Sequence, residues 1–220
     1  MNNMTSRFKS NYLPFLSIIL IAGLIFFFKW PNKDFITFIT DTTGYISIIG
    51  IAISLIIGTL NLLLNHKNPV STYFRRDLGI TVGILAVIHS ITGLFVHLRG
   101  NTWQYFFIKT EHGYSIRLDD FGLANYTGLI SSFIIVLLVI TSNDYLLRKL
   151  NAVNWKIIQR FSYLMFVLAI IHCIYYRIVS NNSNLTYYLY LPIVIIVFIF
   201  QLIGIRLKLI EHRKQQFLIP

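Results

Sequence analysis

Uncharged apolar runs recur six times along the chain, at about 12–28, 44–64, 78–98, 122–141, 161–179 and 187–205. Each is about 17–25 residues long, enough to cross ~30 Å of hydrocarbon as a helix. Polar breaks carrying turn chemistry separate several of them: Pro31-Asn32, Asn68-Pro69 and the run Ser180-Asn181-Asn182-Ser183-Asn184. The pattern predicts an all-α, polytopic bundle of six transmembrane helices in a single domain over 1–220. No span clearly repeats another. The first run follows Arg7 and Lys9, as a signal peptide would, but it ends in Lys29-Trp30-Pro31 without a small-residue cleavage site. An interfacial anchor of this kind predicts a retained span.

Composition removes the alternatives. Hydrophobic residues make up 55%, charged residues 12%, and mean hydropathy is +0.66, so a water-facing shell would lack charge. Thirteen Tyr and eighteen Phe exclude disorder. The formal charge of +11 is a matter of topology. With the amino terminus inside, 13 of the 19 Lys and Arg fall on inner segments and 6 on outer ones, as the positive-inside rule requires, which predicts cytoplasmic termini. Such placement points to anionic membrane lipid and a cytoplasmic membrane, and away from nucleic acid. The single cysteine, Cys173, excludes a disulfide framework or thiolate cluster and reads as a small packing residue.

Two of the six histidines, His89 and His172, lie deep in apolar runs. Ionisable groups at such depth are costly and point inward to a partner or cofactor. Their heights agree. Arg76 and Arg160 mark where the third and fifth spans leave the cytoplasm; His89 lies 13 residues past the first and His172 12 past the second. At 1.5 Å per residue both sit roughly 18–20 Å from the inner surface, on helices running the same way. Two neutral imidazoles at one level in a bundle are suited to ligating one iron between them. The alternative is a pair of buried histidines that merely hydrogen-bond their neighbours. Gly79, Gly83, Ala86, Ser90 and Gly93 form a small-residue stripe on the same span, which suits close helix packing or clearance for a flat macrocycle. His97 reads as an interfacial residue, His66 and His212 as solvated, and His112 as an outer-loop residue with no ligand pattern around it.

Arg75-Arg76-Asp77-Leu78-Gly79 followed by His89, then Thr141-Ser142, Arg148-Lys149-Leu150, Trp155, Phe161, Tyr163-Leu164 and His172, resemble the ferric-reductase-like transmembrane domain over about residues 70–178. Within it the chain is similar to the haem-binding membrane subunit of the bacterial periplasmic methionine-sulfoxide reductase system. The resemblance implies one b-type haem held by His89 and His172 near the outer face of the inner membrane. It also implies electrons drawn from the quinone pool or a cytoplasmic flavin reductase, and delivered to a periplasmic, molybdopterin-containing partner. Two-haem members carry a second histidine pair about four turns closer to the cytoplasm. Here that region holds Arg75-Arg76 and Gln159, and the methionine-sulfoxide relative has a histidine where Gln159 stands. Arg75, Arg76, Gln159 and Arg160 are instead candidates for a flavin (FMN) phosphate or a quinone head group, or are plain positive-inside anchors. Arg99 and Arg177 are candidates to pair with haem propionates.

No acid–base dyad, nucleophilic triad or phosphate loop can be assembled, so no catalytic residue is assigned. No Gly-rich dinucleotide fingerprint follows the sixth span. That favours an electron-transfer subunit over a complete enzyme, with a free-standing ferric or other metal reductase as the first alternative. The second is a non-redox transporter or structural subunit, against which the missing repeats and broken helices count.

Overall fold

The computed structural model describes residues 4–64, 69–98, 101–179 and 186–217. Among these, six long helices form a bundle: α1 (Leu13–Lys29), α2 (Phe35–Leu63), α3 (Pro69–Gly93), α4 (Asp120–Thr141), α5 (Asp144–Val179) and α6 (Leu191–Phe217). A turn of helix, Met4–Arg7, and a π-helical turn, Phe8–Tyr12, lead into α1, and a second π turn, Thr186–Tyr190, leads into α6. Among the described residues five segments are long and apolar enough to cross a membrane: Thr5–Lys29, Phe35–Leu63, Asp120–Thr141, Val153–Tyr176 and Tyr188–Glu211. The chain is thus an all-α, multi-pass membrane protein. The third expected span falls on α3, which is not among the five. Its 25 residues suffice in length, but its polar first third carries Arg75, Arg76 and Asp77.

Surface chemistry agrees with a lipid surround. α1 is apolar on every side; Ile18, Leu20, Ile21, Leu24 and Phe28 are exposed, and Phe15 is its one buried residue. A helix hydrophobic all round with most of that surface open has a hydrocarbon environment.

α3 packs between α2 and α4, α5 lies against α4, and α6 against α2. Close approach comes from small residues. Gly50 of α2 receives Val82 of α3, and Gly83 of α3 receives Val139 of α4. Serines on three helices add interhelical hydrogen bonds: Ser47 Oγ donates to Val82 O (3.2 Å), and Ser90 Oγ meets Ser132 Oγ at 2.6 Å. Of the two roles open to the small-residue stripe of α3, packing is what Gly83 and Ser90 perform.

α2 and α4 start alike. Asp34 caps α2 by accepting from Thr37 N (3.2 Å), and Asp119 caps α4 by accepting from Gly122 N (2.8 Å). Burial pushes the Asp119 carboxyl up, but hydrogen bonds from Arg117 and the Gly122 N–H outweigh it and hold the group below the usual carboxylate range. Between α3 and α4 the chain forms a hairpin, β1 (Phe107–Thr110) with β2 (Gly113–Ile116), pairing Phe107 with Ile116 and Thr110 with Gly113. Gly113 turns at φ 122°, a conformation open to glycine. Just before the hairpin, the buried Tyr105 closes the end of α3: its hydroxyl donates to Gly93 O and accepts from the N–H groups of His97 and Leu98.

The opposite end is tied by charge. The carboxylate of Asp77, 0% exposed, accepts from Arg7, Asn11 and Tyr12 of the amino-terminal segment. Arg76 pairs with Asp144 at the start of α5 (2.6 Å), and Arg7 and Arg76 lie over the Tyr73 ring at 5.2 and 5.3 Å. Asp77→Ala leaves Arg7 without its buried partner, so a loss of about 3–5 kcal/mol is expected in denaturant unfolding of the purified protein. Asp77→Asn, which keeps hydrogen-bond capacity, is expected to lose less.

Candidate functional site

His89 and His172 face each other across the bundle core from α3 and α5. Their ring centroids are 6.0 Å apart and their planes meet at 85°. The agreement in height read from the sequence is therefore matched by lateral proximity.

The two rings are seated by the same device. His89 Nδ1 lies 2.8 Å from the backbone carbonyl of Thr40 on α2, and His172 Nδ1 lies 2.8 Å from that of Ala124 on α4. A helical carbonyl already accepts from the N–H four residues on, but it has two lone pairs and can take a second donor. What normally shields it is the side chain of that same residue four positions on. At both seats this residue is glycine. A Cβ on Gly44 would lie 2.8 Å from His89 Nδ1, and one on Gly128 would lie 2.5 Å from His172 Nδ1. Thr40 with Gly44, and Ala124 with Gly128, are thus matched cradles.

The protonation pattern follows. A carbonyl only accepts, so each Nδ1 carries the hydrogen and donates it. In the neutral ring Nε2 then holds the free lone pair, on the side turned away from the flanking helix. A backbone carbonyl fixing tautomer and ring orientation is the outer-shell arrangement characteristic of metal-ligating histidines. The separation also fits. Two metal–imidazole bonds of about 2.0 Å, extended by two ring radii of about 1.1 Å, span about 6 Å. Among the described residues no group of three or more His, Cys, Asp or Glu gathers to hold a metal. The donor set is therefore two imidazoles, suited to an iron whose other positions a macrocycle fills.

Toward the hairpin end the site continues into aromatic contacts. Tyr176 lies 4.9 Å from His172 and stacks on His97 at 5.7 Å, and its hydroxyl donates to Asn125 Oδ1. His97 then lines a cleft of about 460 Å³ at the hairpin end with Leu98, Arg117, Asp119, Asp120 and Phe121. His97 thereby joins the centre to the surface. Sequence reading placed it at the interface, with approach to a haem propionate or an acceptor protein as the alternative.

The four candidates at the basic end part company. Arg75 turns between α2 and α6, its Nε donating to Ser54 O (2.9 Å), while the adjacent Arg76 turns to Asp144. Gln159 donates to Thr141 Oγ1 and Ser142 Oγ (both 3.3 Å), and Arg160 is exposed. Trp155 Nε1 donates to Thr141 O (2.9 Å), so Thr141, Ser142, Trp155 and Gln159 tie α5 to the end of α4. His112 sits exposed in the hairpin turn, and Cys173 packs against the core. His66, Arg99 and the side chains of Arg177 and His212 lie outside the described residues.

Sequence reasoning missed Thr40, Gly44, Ala124 and Gly128. The available signal was a small residue followed by glycine four positions later, once near the start of each flanking helix.

A multi-pass helical bundle with two inward imidazoles at one level defines a membrane protein with a paired-histidine centre. Residues 43–170, more than half of the chain, match the family of the ferric reductase like transmembrane component, and the chain belongs to that family. No curated protein matches it.

Proposed function

We propose that the chain is a haem-binding electron-transfer subunit of the inner membrane, with six spans, both termini cytoplasmic, and one b-type haem held by His89 and His172. The observation that carries this reading is the pair of rings 6.0 Å apart, each fixed through Nδ1 so that Nε2 is available. Haem iron supplies one-electron reduction and oxidation without a change in its protein ligands. The chain's own residues do the rest. His89 and His172 would hold the iron between them, a two-imidazole donor set that would favour electron transfer over chemistry at an open metal site. The Thr40 and Ala124 carbonyls hold the rings in register, and the surrounding apolar helices keep water out.

Electrons enter from the cytoplasmic side, from quinol or a flavin reductase, and leave at the hairpin end to a periplasmic partner of the molybdopterin type. The outer cleft beside His97 favours a second acceptor, a small ferric chelate, because about 460 Å³ is the size of a small-molecule site. Haem-loaded protein in vesicles that enclose ferricyanide tests the conduit. External dithionite is expected to reduce the enclosed ferricyanide, with the rate falling at least about tenfold in His89→Ala, a barrier change of about 1.4 kcal/mol. Equal rates for wild type and variant would refute the conduit.

A further inference from the structure

We infer that the hairpin between α3 and α4 is an interfacial membrane anchor, whose apolar face lies on the lipid surface at that end of the bundle. Pairing sorts its residues by face. Residues opposite each other in an antiparallel ladder point to one side, and neighbours along a strand to opposite sides. The pairs Phe107–Ile116 and Lys109–Tyr114 therefore share one face, and Ile108–Ser115 and Thr110–Gly113 the other. Trp103 stacks on Phe107, with ring centroids 4.3 Å apart, and extends the first face. The result is a strip of Trp, Phe, Ile and Tyr with one lysine. The bundle does not cover it, since Tyr114 and Ile116 are 65% and 60% exposed.

Continuity with the lipid-facing surface names the occupant. Tyr126 of α4 donates its hydroxyl to Phe106 O and packs on the Phe106 ring (5.5 Å), which ties the base of the hairpin to α4. Counted on from Tyr126 at helical spacing, Ile130, Phe133, Leu137 and Ile140 form one exposed apolar stripe. In a multi-pass membrane protein such a stripe faces hydrocarbon, and the hairpin stands where it ends. Trp and Tyr with a Lys that can extend its ammonium toward water are the residue set of the membrane–water boundary.

The backbone sets the depth. A two-stranded sheet leaves unpaired N–H and C=O groups on both edges, which hydrocarbon cannot satisfy, so the hairpin lies among the head groups. A lone hairpin is marginal in water, and laying one face on lipid supplies the layer it lacks. Anchoring also steadies the cleft beside His97. Arg117 follows Ile116 directly, lines that cleft, and donates to Gln104 O and Asp119.

Spin labels on Tyr114→Cys, Ser115→Cys and Ile116→Cys, each in a Cys173→Ala chain reconstituted in phosphatidylcholine vesicles, test the alternation. Labels at 114 and 116 are expected to collide more with dissolved oxygen, and less with a water-soluble nickel chelate, than the label at 115. Equal accessibility at all three positions overturns the inference. So does greater nickel access at 114 and 116, which would leave the strip to a soluble protein partner. Quenching of tryptophan fluorescence by lipids brominated high on the acyl chain tests the same face with Cys173 intact. Trp103→Phe is expected to lose part of the wild-type quenching, and unchanged quenching overturns the anchor. Neither readout depends on His89 or His172, so failure here is separate from failure of the haem reading.

Discussion

His89→Ala and His172→Ala are each expected to abolish the low-spin b-type spectrum of the dithionite-reduced protein while leaving the bundle folded. Each substitution removes one of the two imidazoles of the proposed ligand pair and leaves an apolar gap where a ring stood. The cost is large because nothing nearby replaces the ligand: the described residues offer no third His, Cys, Asp or Glu at the site. His97, the next imidazole toward the hairpin end, is engaged with Phe121 and Tyr176. Haem content measured against protein, together with the absorption bands, checks the outcome. Either variant retaining the wild-type spectrum and haem content would remove that histidine from the ligand pair.

Gly128→Ala and Gly44→Ala are expected to impair the centre without altering a ligand. The accepting carbonyls of Thr40 and Ala124 belong to the backbone and cannot be mutated away, but the glycines that expose them can. An added methyl group would sit 2.5 Å from His172 Nδ1 at position 128 and 2.8 Å from His89 Nδ1 at position 44. Both distances are below contact, so the ring must swing off its carbonyl and lose its fixed orientation. Losing an outer-shell partner of a metal-bound histidine typically costs about 10- to 100-fold in affinity. The tighter approach makes Gly128→Ala the more damaging of the two. Haem titration of the apoprotein ranks them, and the reverse order or wild-type affinity in both would contradict the cradle geometry.

The level of the histidines was legible in the sequence because helical rise is constant: counting from Arg76 and Arg160 was enough to place both imidazoles at one height. Their seats were not legible. Gly44 and Gly128 look like ordinary small residues until the partner helix is known, and the more conspicuous small-residue stripe lies on α3. Hydropathy located the long helices but not their ends. α5 opens at Asp144, well before the apolar run at 161, and its helical path breaks at Asn151 (φ 56°, ψ 165°), whose side chain accepts from Val153 N and Asn154 N and so starts the helix anew. α3 likewise starts at Pro69, ahead of the apolar run at 78, because its first turns are polar. The scatter of Arg75, Arg76, Gln159 and Arg160 follows from helix geometry, since consecutive residues point about 100° apart and serve different neighbours. The hairpin at 107–116 escaped notice because its strands, four residues each, are too short to stand out beside membrane runs.

Low-temperature electron paramagnetic resonance of the oxidised wild-type protein tests most directly whether one iron is gripped by both rings. Two imidazoles whose planes meet at 85° predict a six-coordinate, low-spin ferric signal of the strongly anisotropic kind that near-perpendicular axial ligands give. A high-spin signal, or protein that takes up no haem, would contradict the shared iron and with it the electron-transfer function.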